Sequence, residues 1–137
     1  MPKTAQPKVS PLSLRALALA PSSGFRTKVI TVPEWDGVKI MLREPSGEAW
    51  AKFREIVTPP EPAEGQEPQK LTMQEEFIRN KKADVVMFID VLLDEAGNRV
   101  FSTEDEDTVS EIYGPVHSRL LSQALNLGMS QEVAEAK

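Results

Sequence analysis

The chain has no cysteine, one histidine and one tyrosine in 137 residues, and aromatics make up only 6% of it. Without cysteine there are no disulfides, thiol nucleophiles, thiolate zinc sites or iron–sulfur clusters. The single histidine, His117, has neither a second histidine to share a metal nor a cysteine to form a dyad, so it reads as a partly exposed helix residue. Gly24, Gly37 and Gly47 stand alone, and no GxGxxG or P-loop pattern occurs, which removes the usual phosphate cradles. Long apolar runs are missing as well. Val85 to Leu93 contains Asp90 and is far shorter than the roughly 20 residues that span a bilayer. Leu12 to Ala20 imitates a secretion signal down to Ala18-Leu19-Ala20, but Arg15 interrupts it. Neither secretion nor a membrane partner is expected.

What is present is globular. The hydrophobic fraction is 40% and the charged fraction 27%, which argues against wholesale disorder. The length suits one core, which must be mainly aliphatic. A net charge of -5 disfavours attraction to nucleic acid phosphates. The basic cluster Arg79-Asn80-Lys81-Lys82 has no interleaved aromatics to stack bases and reads as a solvated helix face. Acidic runs fare no better as metal sites. Glu104 to Asp107 suits the positive end of a helix, and a calcium loop begun at Asp94 fails because glycine falls at the fourth position instead of the sixth. No catalytic residue, metal ligand or cofactor site is expected, and the chain does not read as an enzyme.

Residues 1–10 are polar with two prolines and read as a flexible arm; residues 11–137 read as one domain. Ser10-Pro11 starts a short helix to Leu19, with Leu14, Leu17 and Ala18 on one face, and Pro21 to Gly24 stops it. Thr27 to Val32 and Val38 to Leu42 form a hairpin whose turn, Pro33-Glu34-Trp35-Asp36-Gly37, contains the Asp-Gly pair that tolerates positive backbone angles. Pro45 to Val57 is a helix with Trp50, Phe53, Ile56 and Val57 at helical spacing and Ser46 as cap. Residues 58–70 hold four prolines and three glutamates and read as a mobile Pro/Glu-rich loop. Thr72 to Glu75 is a capping box that opens a helix to about Leu93, with Phe77 and Ile78 on its apolar face and its second half the most buried element. Asp94 to Asn98 is a turn and Arg99 to Phe101 a short extended piece. A second capping box, Thr103 to Glu106, starts a helix whose inward face is Val109, Ile112 and Tyr113. Gly114-Pro115 separates it from a last helix with Val116, Leu120, Leu121, Ala124 and Leu127 in one stripe and Gly128 as its stop. The fold class is α+β: an N-terminal β-hairpin packed on a mainly α-helical bundle of four to five helices.

Three stretches, in order, resemble phage tail assembly chaperones. They are the hairpin Val29 to Glu44 leading into a helix, the Val91 to Asp105 helix, turn and acidic helix start, and the closing helix Ser118 to Leu127 with its acidic tail. Residues 58–70 and Pro45-Ser46-Gly47 depart from the family's pattern. The resemblance implies a protein of a siphophage that binds the tape measure protein, keeps it soluble and helps recruit tail tube subunits during tail morphogenesis. It implies late expression in the host cytoplasm, absence from the mature virion and, in many phages, a ribosomal frameshift that adds a second domain. Partners on this reading are the tape measure protein, the tail tube protein and a frameshift-extended form of the chain, with self-association also open. Apolar helix faces would act by helix-in-groove contact. The candidate partner-binding residues are Trp35, Val116, Leu120, Leu121 and Leu127, each of which has a core alternative. Trp35, at a hairpin tip, is either a lid over the core or part of a binding patch; Trp50 reads as core. The alternative function is a small structural virion component, such as a tail completion or connector protein.

Overall fold

The computed structural model describes residues 11–20, 23–59, 61–67 and 70–136, with side chains described from Ser13 to Gly128. The arm expected over residues 1–10 lies outside them. The elements are α1 (Pro11–Leu19), β1 (Thr27–Val32), β2 (Val38–Arg43), α2 (Gly47–Val57), α3 (Met73–Val91), β3 (Leu92–Asp94), α4 (Glu106–Ile112) and α5 (Pro115–Ala136). The fold is α+β, with five α-helices and one antiparallel sheet, in the order β1-β2-β3, among the described residues. Among the described residues, no helix is long and apolar enough to cross a membrane.

β1 and β2 pair from Thr27 opposite Arg43 to Val32 opposite Val38. Their connection is a 3-10 turn, Pro33–Trp35, followed by Asp36 and Gly37 in the left-handed region at φ 57 and 68. Aspartate and glycine are the residues that enter this region at least cost. The period of two puts Val32, Ile40 and Leu42 inward and leaves Thr31 and Lys39 in solvent.

α2 begins at Gly47, two residues later than expected, with the Ser46 hydroxyl accepting the Ala49 N–H at 3.1 Å. α3 begins as expected. The Glu75 N–H donates to Thr72 Oγ1 at 3.1 Å and the Thr72 N–H to Glu75 Oε1 at 2.8 Å, so both halves of the capping box are made. The helix passes unbroken through Arg79 to Lys82 but stops at Val91, short of the expected Leu93. Leu92–Asp94 instead forms a third strand, pairing Leu92 with Leu42 and Asp94 with Ile40. A continuous apolar run is compatible with either state, and the open edge of β2 decides it. Beyond the strand, the Asp94 carboxylate accepts the N–H groups of Ala96 and Asn98, and Gly97 closes the turn at φ 92. The extended piece expected at Arg99 to Phe101 reduces to one bridge between Arg99 and Leu93.

The second cap forms one residue earlier than read from the sequence. The Asp105 carboxylate accepts the Ser102 N–H at 2.8 Å, and a 3-10 turn, Thr103–Asp105, precedes α4. Gly128 is not a stop, since α5 continues to Ala136. Here glycine serves close approach: a Cβ would lie 2.9 Å from Glu44 Oε2, which is itself paired with Arg26.

The core draws on both hairpin strands, β3 and helices α2 to α5, with Phe88, Leu42, Met87 and Leu120 among its fully buried side chains. Each such side chain contributes about 1.5–3 kcal/mol by leaving water. A cluster of three buried polar residues, Arg43, Ser46 and Asp90, lies beside them. The Asp90 carboxylate, from α3, accepts the Arg43 guanidinium at 2.8 Å, the Ser46 N–H at 2.7 Å and the Ser46 hydroxyl at 3.0 Å. Arg43 also donates to the Asp90 carbonyl and lies over the Phe25 ring, 4.5 Å from its centroid. A single α3 side chain thus ties the end of β2 to the start of α2, with its hydrogen-bonding capacity met as burial requires.

Candidate functional site

The hairpin tip is anchored to the start of α5 through rings and one ion pair. The Trp35 ring lies 5.4 Å from His117, which also meets Phe88 edge-on at 5.2 Å and stacks with Tyr113 at 5.4 Å. Phe88 and Tyr113 complete the group at 5.8 Å in a T-shaped contact. The tilted and edge-on arrangements suit the ring quadrupoles. Beside the rings, the Arg119 guanidinium grips the Glu34 carboxylate with two hydrogen bonds of 2.7 and 2.8 Å in open solvent. The hydrogen bonds from Arg119, followed by a local backbone bond, hold the Glu34 carboxyl at about 2, against an ordinary 4.5.

His117 is half-buried, and burial pulls its pKa below 6.5. Its Nδ1 accepts the Gly114 N–H at 3.1 Å, which requires the neutral ring. Burial, and then the nearby Asp84 charge, push the Tyr113 hydroxyl above its usual range. That hydroxyl and Gln123 Oε1 are buried without a hydrogen-bond partner among the described residues. Burial likewise raises the Asp84 carboxyl.

The five candidate contact residues separate on this frame. Trp35 is half-buried and packs against the core, in the position of a lid. Val116 is half-buried against the same core, and Leu127 is half-buried. Leu120 and Leu121 are 0% and 5% exposed, the core alternative for this pair, because α5 turns this stripe onto α3 and the sheet. Trp50, read as core, sits at 37% exposure with its ring edge against Phe53.

The exposed apolar surface lies elsewhere. Leu14, Leu17 and Leu19 of α1 are open to solvent, as are Leu71, Met73, Phe77 and Ile78 around the first turns of α3. Ile112, expected inward, is also exposed. Helical spacing identified Leu14, Leu17, Phe77 and Ile78 as apolar faces, but spacing carries no information on whether a neighbour covers them. The signal was the mixed character of α3: residues 73–82 are rich in charge and amide, while residues 83–91 are almost wholly apolar.

A family model described as phage tail assembly chaperone matches residues 13–137. A search of curated proteins finds no match. Among solved structures, the tail assembly chaperone of bacteriophage HK97 superposes with a TM-score of 0.72 at 51% sequence identity, covering 84% of this chain and 96% of that one. The family is one of assembly chaperones and not of enzymes. The family model spans nearly the whole chain, and the likeness to the HK97 protein extends to sequence as well as fold: the chain belongs to the phage tail assembly chaperone family.

Proposed function

We propose that this tail assembly chaperone binds the tape measure protein, keeps it soluble in the host cytoplasm, and helps bring tail tube subunits to it. The observation that supports this most directly is exposed apolar helix surface, on α1 and on the first half of α3, in a chain with that family membership. A long helical client with apolar stripes is the kind of partner such surface covers by helix-in-groove contact. The acidic balance of the chain keeps the pair soluble.

Co-expression with the tape measure protein of the same phage tests the reading. A soluble complex that co-elutes is the expected outcome; a client that stays in the pellet with no complex overturns it. Mass spectrometry of purified virions separates this role from that of a tail completion or connector protein, because a chaperone is absent from the finished particle. The same measurement on infected cells looks for a frameshift-extended form, whose peptides would run past Lys137.

A further inference from the structure

The C-terminal half of α2, the segment that follows it and the first turns of α3 enclose an open cleft of about 1580 Å³. Its apolar lining is Ile56, Pro59, Pro62, Ala63, Leu71 and Ile78, with Leu71 and Ile78 one heptad apart on the α3 side. The two walls differ in charge. The wall formed by the end of α2 and the segment after it carries Glu55, Glu61 and Glu67 against Lys70 alone, whereas the α3 wall balances Glu75 and Glu76 with Arg79 and Lys82. None of Glu55, Glu61 and Glu67 is held in an ion pair among the described residues. A trough with an apolar floor, walled by α3 on one side and by the acidic segment after α2 on the other, presents a surface that an added amphipathic helix completes.

Resting on the chaperone reading above, we propose that this cleft is where the client is held, and that it takes an amphipathic helix with one apolar face and a basic flank. The apolar face covers Ile56, Leu71 and Ile78, and the basic flank lies along the acidic wall. Complementary charge then sets the orientation of the helix and excludes acidic helices of the same apolar pattern.

The test uses the full-length protein and two labelled 18-residue peptides that share one leucine pattern, one with lysine and one with glutamate at the remaining positions. The lysine peptide binds at least tenfold more tightly. Glu61→Lys with Glu67→Lys costs it about tenfold and improves the glutamate peptide, whereas the equal charge change Glu95→Lys with Glu111→Lys, on exposed positions away from the cleft, alters binding less than twofold. Ile78→Asp weakens both peptides while thermal unfolding is unchanged. Equal response to the two charge-reversed pairs overturns the proposal, because attraction is then to net charge alone. A tenfold gain in affinity from Leu14→Asp with Leu17→Asp also overturns it, since α1, apolar and carrying only Arg15, is then the occupant. Co-expression keeps the two claims apart: if the cleft variants solubilise the tape measure protein as well as the unaltered chain does, the cleft is wrong and the chaperone reading stands. If the unaltered chain itself fails to solubilise it, the chaperone reading falls and the peptide pair alone decides the cleft.

Discussion

The two halves of α3 are one helix with two occupations. From Ala83 to Val91 all but Asp84 are buried, and this half touches nearly everything else: Phe88 meets the rings of Phe101, Tyr113 and His117, and Asp90 holds Arg43 and Ser46. From Met73 to Ile78 every residue is exposed, Met73 at 88% and Phe77 at 65%. The N-terminal half is therefore held by local means, its capping box and its pairing with α2, and its apolar side chains add nothing to the core. A helix can be rigidly rooted at one end while offering an unpartnered apolar surface at the other, which is what the proposed covering of a client requires.

Substitutions at the two ends test this division. Phe88→Ala, at the root, should cost about 3–5 kcal/mol in denaturant unfolding, since it empties a fully buried ring site. Asp90→Ala should cost about 3 kcal/mol by leaving the Arg43 charge and the Ser46 N–H buried without their acceptor, and Asp90→Asn less. If both changes cost under 1 kcal/mol, the root is not where stability lies. Thr72→Ala should cost about 1 kcal/mol through loss of the cap, with amide exchange speeding up in the first turn of α3 and not at Phe88.

The pH dependence of stability sharpens the comparison further. The folded state holds His117 neutral, with its pKa below the ordinary 6.5, so below that pH the unfolded chain binds more protons. Stability should therefore be full above pH 6.5 and decline as pH falls through the folded value, by less than one proton's worth of slope, and His117→Phe should remove that slope. Glu34 adds a loss of the same sign lower down, between 4.5 and about 2. The smallest effect is expected at the free end: Phe77→Ala should change stability by no more than about 0.5 kcal/mol. A cost above 2 kcal/mol there would show that the exposed half is packed in solution.

The sequence made local grammar legible and left long-range choices open. Thr72 with Glu75, Asp36 with Gly37, and Asp94 with Gly97 all act within five residues, and each does what its chemistry suggests. The third strand, the depth of Leu120 and Leu121, and the Arg43–Asp90 node depend on partners far along the chain, to which periodicity is blind. Gly128 shows the limit plainly. A glycine late in a helix looks like a terminator until Glu44, more than 80 positions earlier, is seen beside it. Trp35, Val116 and Leu127 keep part of their surface, while helical spacing marks Leu14, Leu17, Phe77 and Ile78 as apolar faces without saying whether a neighbour covers them.

The contact between Trp35 and His117 has an optical consequence. A protonated imidazole quenches indole emission far more than a neutral one, so with Trp50→Phe the one remaining tryptophan, at the hairpin tip, dims only as pH falls below 6.5 and His117 takes up its proton. Its fluorescence through an acid titration then reports, without any attached dye, whether the tip is seated on α5.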